Sequence, residues 1–483
     1  MMNLSKSSLV VVFYEIMLFA SMLSMAINHG KSDVFLPSIL VTVIISIIVT
    51  IFGFLVEADH ILILSIITLN TLGVLTQSML AKDYDEINND VTIYPFLFTI
   101  ASIAFIAFFM LLRKKELIVR LADAYSKWIL ICGIVTVLIF GIALRFLAKP
   151  SGGAYAWIYI GNIQFQPTEL MKPFFALWFA FLMNCKLKCK IRFFNHKWVW
   201  ATAFMLTNAI AFALISELGT LMILTVLFFV LSFLFFDKKR TSLYMLLVFV
   251  AFGLLVYGGL GIVHNFYTAD SQDTTTEVIE VLDEADKAAA PKESSTGIIG
   301  TMNGLYERIQ KRFTLWLHFN DPEQSDEATQ QLAAQRAAVL GGLTGTTKYP
   351  LFHDTLYSSN ADFAFVSLIL YCGLLTAAIC LIMLTLFIWR GLVVAERRND
   401  NIVNHVLCVG ATFVVAAGFI IPAASSVSLL PVIGICTSFI GRGGSAQLIT
   451  FLSCSFLIYM SRSRDFPFKE ILYRFVPPEI RRD

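Results

Sequence analysis

The chain has 483 residues, of which 57% are hydrophobic and only 14% charged, with a mean hydropathy of +0.75. Soluble globular proteins carry about 25% charged residues, so this composition excludes an ordinary soluble domain and indicates a polytopic membrane protein. The formal net charge of +2 argues against a nucleic-acid partner.

Twelve apolar segments are long enough to cross a bilayer as helices, so the predicted fold class is all-α, with about 12 transmembrane helices. The first segment has no cleavage signature of small residues, and we expect it to be retained rather than removed as a signal peptide. The predicted spans are 9–28, 35–57, 60–81, 93–113, 127–148, 167–185, 197–214, 217–236, 242–264, 361–388, 402–424 and 444–461.

Basic residues cluster in every second loop, and this pattern predicts how the chain is oriented. The clusters lie at 113–115, 186–190, 238–240, 397–398 and 462–464. Because basic loops face the cytoplasm, both termini are expected inside and the long loop 265–360 outside.

The long loop has two parts of different composition. Residues 268–297 are rich in Asp, Glu, Thr and Ala and are expected to be disordered. Residues 298–345 are expected to be ordered, beginning with a helix whose apolar residues recur at helical spacing. That helix either lies on the membrane surface or packs onto the bundle, and both interpretations stay open here. An Ala- and Gln-rich helix is predicted at 328–340, followed by a flexible glycine-rich run at 341–345.

The candidate site consists of ionisable residues that are all predicted near the outer membrane face. Charged groups are costly inside a membrane and usually face a cavity or a partner. Several of these residues stand at helix N-termini, where exposed N–H groups favour anions, so together they suit a phosphate-bearing ligand. The candidates are Arg145, Glu169, Lys172, Glu217, Asp362 and Arg442, and Asp362, which opens a span, is the best candidate for the chemical group.

Each candidate also has a structural explanation. Glu169 and Lys172, three residues apart, could simply pair to make burial tolerable. Glu217 could be no more than a helix-start residue, and Asp362 could be an N-cap. The pair Gly443-Gly444 could allow close packing of helices.

Five motifs that occur in order over residues 150–461 carry a resemblance to a known family. They are the stretch 153–172 with Gln166-Pro167-Thr168-Glu169-Leu170-Met171-Lys172, then Glu217-Leu218-Gly219-Thr220, 341–345, 360–365 and 431–445. In this order they resemble the motifs of the SEDS family, the RodA/FtsW/SpoVE-type peptidoglycan polymerases. Five predicted helices precede Trp157, where the family has three, so two N-terminal helices are interpreted as extra.

The resemblance implies a peptidoglycan glycosyltransferase that polymerises lipid II into β-1,4-linked glycan outside the bacterial cytoplasmic membrane and releases undecaprenyl pyrophosphate. It implies that Asp362 is the general base. Arg145, Lys172 and Arg442 become candidates for pyrophosphate stabilisation, with Glu169 and Glu217 orienting neighbouring groups and Ser445 contributing to substrate binding.

The same resemblance implies several partners. They are lipid II, the nascent glycan, membrane lipids and a class B penicillin-binding protein, which is a single-span transpeptidase. The sequence has no nucleotide-phosphate motif. No cofactor is predicted, although a divalent cation stays open. Cys185 and Cys189 flank a basic loop without a second ligand pair and are not interpreted as a metal site.

The predicted division of the chain follows the spans and the long loop. It comprises N-terminal transmembrane helices (1–148), the first part of the SEDS-like core (149–264), the large extracellular loop (265–360), the second part of the core (361–461) and a cytoplasmic tail (462–483).

Departures from the family pattern keep two other functions open. Ala156 stands where the family has Arg, Glu217 where it has Asp, and Gly441-Arg442 where it has Ser-Tyr. The first alternative is a flippase for a lipid-linked precursor, and the second is a non-catalytic scaffold for a penicillin-binding protein. Because the candidate charges cluster on one predicted side of the membrane, the sequence favours an enzyme over a flippase.

Overall fold

The computed structural model describes residues 15–17, 19–20, 32–55, 57–83, 117–151, 154–161, 163–187, 191–236, 239–279, 298–318, 329–346, 356 and 358–463. The described helices are α1 (Ser32–Leu55), α2 (His60–Asp83), α3 (Leu117–Leu147), α4 (Met171–Asn184), α5 (Lys197–Leu214), α6 (Leu218–Phe235), α7 (Lys239–Ile279), α8 (Ile298–His318), α9 (Thr329–Gly341), α10 (Ala364–Glu396), α11 (Ile402–Ser426) and α12 (Gly444–Ser461).

Eight of the described helices are long and apolar enough to cross a membrane, which confirms the predicted polytopic all-α architecture. They are α2, α3, α5, α6, α7, α10, α11 and α12. The predicted span 35–57 forms α1, whereas 167–185 forms a 3-10 turn (Pro167–Leu170) followed by the 14-residue α4. Most of the predicted span 9–28 and all of the predicted span 93–113 lie outside the described residues.

A small antiparallel sheet, which the sequence did not predict, connects α3 to the turn before α4. Its strands are β1 (Lys149–Ser151), β2 (Ala154–Ile160) and β3 (Ile163–Phe165), in the order β1-β2-β3. The Tyr155 N–H donates a hydrogen bond to the Ile215 carbonyl at 2.8 Å, so the sheet is fixed to the end of α5.

The long loop is more helical than predicted. The expectation of disorder over 268–297 is wrong at its start, because α7 continues as a 41-residue helix to Ile279; residues 280–297 lie outside the described part. A helix that is already nucleated gains one hydrogen bond for each added residue, so it can extend into polar sequence. The helix predicted at 328–340 is confirmed as α9.

Of the two interpretations of α8, the structure supports packing onto the bundle. Leu305 is only 5% exposed, and the Trp316 indole N–H donates to the Ser428 carbonyl at 3.0 Å. The ring of Tyr306 stacks on Tyr257 of α7 with centroids 5.2 Å apart. This packing brings the polar face of α8 to the loop that precedes α12.

Burial differs greatly among the spanning helices. Helix α11 packs against α4, α6, α10 and α12. Of the residues in its apolar membrane-spanning stretch, 83% are buried. In α7 the corresponding share is 12%. Helix α11 is therefore the central element of the bundle, and α7 stands at its edge.

Helix α10 is broken at Gly373, and the glycine-rich loop after α9 fills the break. Gly373 has φ +81° and ψ 169°, a backbone conformation that essentially only glycine adopts. The Leu374 N–H donates to the Gly342 carbonyl at 2.9 Å, and the Thr346 N–H donates to the Leu370 carbonyl at 2.8 Å. Backbone groups at membrane depth need partners within the protein, so the run 341–345 is an anchored structural element rather than the flexible segment that was predicted.

Replacing Gly373 with alanine should therefore destabilise the bundle. A Cβ atom at this position would meet the Leu343 carbonyl oxygen at 2.3 Å and the Gly345 nitrogen at 2.5 Å, in addition to the cost of the positive φ. Gly373→Ala is expected to lower the melting temperature and the yield of folded protein in detergent. The matched control is Gly259→Ala in α7, where a Cβ meets nothing within 4 Å. Equal melting of the two variants would contradict this account of the break.

Candidate functional site

The loop that carries Asp362 is held in place by backbone hydrogen bonds. The carbonyl oxygen of Asn360 accepts from the side-chain amide of Gln77 at 2.9 Å and from the Arg442 N–H at 2.6 Å. The same Gln77 amide also donates to the Ile440 carbonyl at 2.7 Å. Helix α2 thus ties together the loops that precede α10 and α12.

A second glutamine fixes the loop before α12. The Gln447 side-chain amide donates to the carbonyls of Thr437 (3.0 Å) and Gly441 (2.7 Å), and its oxygen accepts from the Phe439 N–H at 2.9 Å. Both the N–H and the hydroxyl of Thr437 donate to the Ala361 carbonyl, each at 3.3 Å. The segment on either side of Asp362 therefore has one well-defined backbone path.

Asp362 itself faces an arginine across a glycine. A methyl group on Gly434 would stand 3.8 Å from the Asp362 Oδ2 and 3.7 Å from the Arg312 Nη2, so both side chains approach this residue. Arg312, from α8, also donates from Nη1 to the Ile433 carbonyl at 2.9 Å. Burial raises the pKa of the Asp362 carboxyl group from 3.8 to about 6, and the Arg312 charge opposes this rise. A carboxylate with such a pKa can accept a proton near neutral pH.

Glu217 is the N-cap of α6, as its structural explanation predicted, and it is also part of the charge cluster. Its carboxylate accepts from the Thr220 N–H at 3.5 Å. Burial raises the pKa of its carboxyl group from 4.5 to about 7, and the negative charge of Glu169 adds to this rise. The hydrogen bond from Thr220 and the positive charges of Arg312 and Lys172 oppose the rise. Glu217 therefore joins the Glu169–Lys172 pair to the arginine beside Asp362.

Glu169 and Lys172 form a buried ion pair, which confirms that the two residues pair. The Lys172 Nζ lies 2.6 Å from the Glu169 Oε2, and the residues are 4% and 3% exposed. Directly before this turn, the Gln166 N–H donates to the Ser445 hydroxyl at 2.8 Å. Ser445 therefore contributes by anchoring the turn to the start of α12.

The remaining two candidates lie at the edge of the cluster. The Arg145 guanidinium stacks over the ring of Tyr155, 3.9 Å from its centroid, and is not brought against Asp362. Arg308 of α8 interacts electrostatically with both Tyr155 and Glu217, so it bridges Arg145 to the centre of the site. Arg442 joins the site through its backbone N–H, which holds Asn360.

Three residues of this site are not among the candidates that the sequence indicated, namely Arg308, Arg312 and Gln77. The two arginines are four residues apart and therefore share one side of α8, which borders its apolar residues. That spacing was an available signal. Gln77 was also visible as a polar side chain within an apolar span, although nothing in the sequence indicates which carbonyls it contacts.

An apolar groove opens beside the charge cluster. It has a volume of about 720 Å³ and is formed by α3, α5, α6, α7 and α8, with Arg145 on its wall. Among its apolar lining residues are Ile142, Phe146, Ile210, Leu221, Leu260 and Ile309. The described residues thus place a hydrocarbon-lined surface next to a set of fixed charges.

The described side chains are not arranged to bind the divalent cation that the sequence left open. Within the described ranges, no three His, Cys, Asp or Glu side chains come together. The Glu169 carboxylate contacts Lys172, and the charged group that faces Asp362 is Arg312.

Comparison with known proteins places the chain in a family. The family model FTSW_RODA_SPOVE, described as "Cell cycle protein", matches residues 57–465. The chain belongs to this family. The FTSW_RODA_SPOVE match begins just before α2 and ends after α12, so it includes every site residue described above. No curated protein sequence matches the chain.

A solved structure shows the same fold. One similar chain belongs to a structure described as "Structural coordination of polymerization and crosslinking by a peptidoglycan synthase complex"; it has 17% identity and a TM-score of 0.55, and the match covers 84% of this chain and 99% of that one. Two structures of the rod shape determining protein RodA from Thermus thermophilus, one of them a mutant, have 15% identity and TM-scores of 0.49. These matches cover 84% of this chain and 99% or 98% of the RodA chains.

The buried ion pair yields a stability prediction. Lys172→Met removes the partner of a buried carboxylate, which typically costs about 3–5 kcal/mol, so the melting temperature in detergent and the folded yield should fall. Adding Glu169→Gln removes the uncompensated charge and should restore much of both. If the double variant melts as low as Lys172→Met alone, the loss does not come from an unpaired Glu169.

Proposed function

We propose that the chain is a peptidoglycan glycosyltransferase that polymerises lipid II into β-1,4-linked glycan and releases undecaprenyl pyrophosphate. One observation carries the proposal: the Asp362 carboxylate, with a raised pKa, faces Arg312 beside an apolar groove. Membership of a family described as cell cycle proteins, and likeness to a chain of a peptidoglycan synthase complex, support this assignment.

Asp362 acts as the general base. The acceptor sugar hydroxyl gives its proton to the Asp362 carboxylate while its oxygen attacks the anomeric carbon of the donor. The bond from that carbon to the pyrophosphate oxygen breaks, and its electron pair leaves with the pyrophosphate. One glycosidic bond forms, and one undecaprenyl pyrophosphate is released. A fixed carboxylate favours this step because a sugar hydroxyl is a weak nucleophile.

The arginines of α8 stabilise the leaving group. Negative charge develops on the pyrophosphate as the bond breaks, and fixed cations in a partly buried site stabilise it without having to reorganise. Arg312 lies beside Asp362, and Arg308 lies between Glu217 and Tyr155. Arg145 extends this cationic row to the groove. Lys172 contributes less than the sequence suggested, because Glu169 already pairs with it.

The apolar groove holds the polyprenyl tail of a lipid-linked sugar. A hydrocarbon chain along its lining residues loses contact with water or with disordered lipid, while the pyrophosphate stays near Arg145. This arrangement orients the reacting carbon towards Asp362. We further propose that the site faces outside, as the loop charges predict, and that a single-span class B penicillin-binding protein is the partner that cross-links the product.

Asp362→Asn should abolish polymerisation without unfolding the protein. Asparagine keeps the size of aspartate but cannot take a proton, and loss of a general base typically costs about 10²–10⁴-fold in rate. The measurement is glycan formation from labelled lipid II by purified protein, with melting in detergent recorded in parallel. The control is Asp400→Asn, an exposed residue far along the chain, which should keep the wild-type rate. Wild-type polymerisation by Asp362→Asn would refute the assignment of the base.

The same assay separates the two other functions that the sequence left open. A flippase would move labelled lipid II across a vesicle membrane and form no glycan. A scaffold would do neither, yet would still bind a transpeptidase. Detergent leaves no membrane to be crossed, so glycan formed there by the wild type would exclude a protein that is only a flippase or only a scaffold.

The pH dependence of the rate tests the contact between Arg312 and Asp362. The base must be deprotonated, so the rate should rise with pH through about 6. Arg312→Met removes the cation that favours the Asp362 carboxylate, which raises the pKa of this group and moves the acidic limb to higher pH, in addition to lowering the maximal rate. Lys311→Met, an exposed change on the same helix, should leave the limb in place. An unmoved limb in Arg312→Met would contradict the proposed electrostatic contact.

A further inference from the structure

A second apolar groove lies in the half of the bundle away from Asp362. Its walls come from α6, α7 and α11 and include Phe233, Leu234, Leu243, Leu246 and Phe413. Arg240, at the start of α7, lies at one end. A contact between the rings of Phe229 and Phe249, with centroids 6.0 Å apart, separates this lower groove from the one that contains Arg145.

The chemistry of the lower groove favours a hydrocarbon chain as its occupant. Apart from Arg240, every lining residue is apolar, so water inside it would find too few polar partners. Its volume of about 710 Å³ is in the range of sites that hold small organic ligands. Phe233 and Leu243 are each 55% exposed, so a chain can enter sideways from the membrane.

Arg240, at one end of the groove, identifies the headgroup. In the sequence it follows Asp237-Lys238-Lys239, and the charge of this loop predicts that this end faces the cytoplasm. A guanidinium binds a phosphate through two parallel hydrogen bonds. Basic pockets between transmembrane helices on this side of a membrane suit the headgroups of anionic lipids.

We propose that the lower groove binds one anionic phospholipid of the inner leaflet, with an acyl chain along Phe233, Leu243 and Phe413 and the headgroup phosphate at Arg240. The bound lipid holds α7 against α6 and α11, where α7 has little protein contact of its own. The lipid-linked substrate is a poor occupant of this site. Helix α6 has 18 residues between the two ends, about 27 Å at 1.5 Å per residue, so a pyrophosphate at Arg240 could not reach Asp362.

The experiment measures the binding of phosphatidylglycerol and phosphatidylcholine to the purified full chain by native mass spectrometry. The wild type should bind phosphatidylglycerol more tightly than phosphatidylcholine. Arg240→Gln should weaken phosphatidylglycerol binding about fivefold, the effect of one cation near a membrane surface, and Arg240→Lys should retain most of it. Leu243→Trp, which fills the groove, should reduce the binding of both lipids.

Lys186→Gln is the matched control, because it removes an exposed charge on the same predicted side without touching the groove. An equal loss in Lys186→Gln and Arg240→Gln would show general surface attraction and overturn the site. Unchanged binding in Leu243→Trp would overturn the acyl-chain groove, and a wild type without preference for phosphatidylglycerol would overturn the headgroup assignment. None of these measurements depends on glycan synthesis, so the proposal can fail while the glycosyltransferase assignment stands.

Discussion

The carbonyl oxygens of Asn360 and Ala361 accept hydrogen bonds from segments far apart in the chain, and the position of Asp362 depends on them. Gln77 reaches Asn360 from α2, while Thr437 reaches Ala361 from the loop before α12. A base on a loop would otherwise vary in position by more than catalysis tolerates, since proton transfer requires hydrogen-bond distance. Here the loop gains the precision of the helices to which it is tied.

The same rule governs the rest of the site end of the bundle, where irregular backbone lies between helices. Such backbone is tolerated at membrane depth only when its N–H and C=O groups find partners in the protein. The break in α10 meets this rule through Gly342, and the loop before α12 meets it through Gln447. Both sets of hydrogen bonds stiffen segments that sequence composition alone would describe as flexible. The rigidity of the site therefore follows from the cost of unpaired backbone groups as much as from the packing of apolar side chains.

Sequence was informative wherever the signal was local. The position of α9 and the pairing of Glu169 with Lys172 each depend on a few neighbouring residues, and the structure has them as expected. The electrostatic interaction of Arg312 with Asp362 joins residues 50 positions apart, and the hydrogen bond of Gln166 with Ser445 spans 279 positions. Helical periodicity shows which face of a helix is apolar, but it does not show which neighbour covers that face.

The short strands were missed for a related reason. The longest, β2, has seven residues, and its apolar and aromatic composition also fits the end of a membrane helix. Its strand character arises from pairing with β3 and from the bond between Tyr155 and Ile215, neither of which the local sequence encodes. Residues that position the site from a distance were thus the part of the structure least accessible to sequence reasoning.

Arg312 stands between two carboxyl groups, and a single cation cannot fully compensate two buried negative charges. Burial raises the pKa of Glu217 to about 7 and that of Asp362 to about 6. When Glu217 is protonated, Arg312 has only the Asp362 carboxylate of these two left to compensate. The charge of Arg312 consequently acts mainly on Asp362 under these conditions. A neutral Glu217 thus favours the ionised form of Asp362, which is the state that general-base catalysis requires.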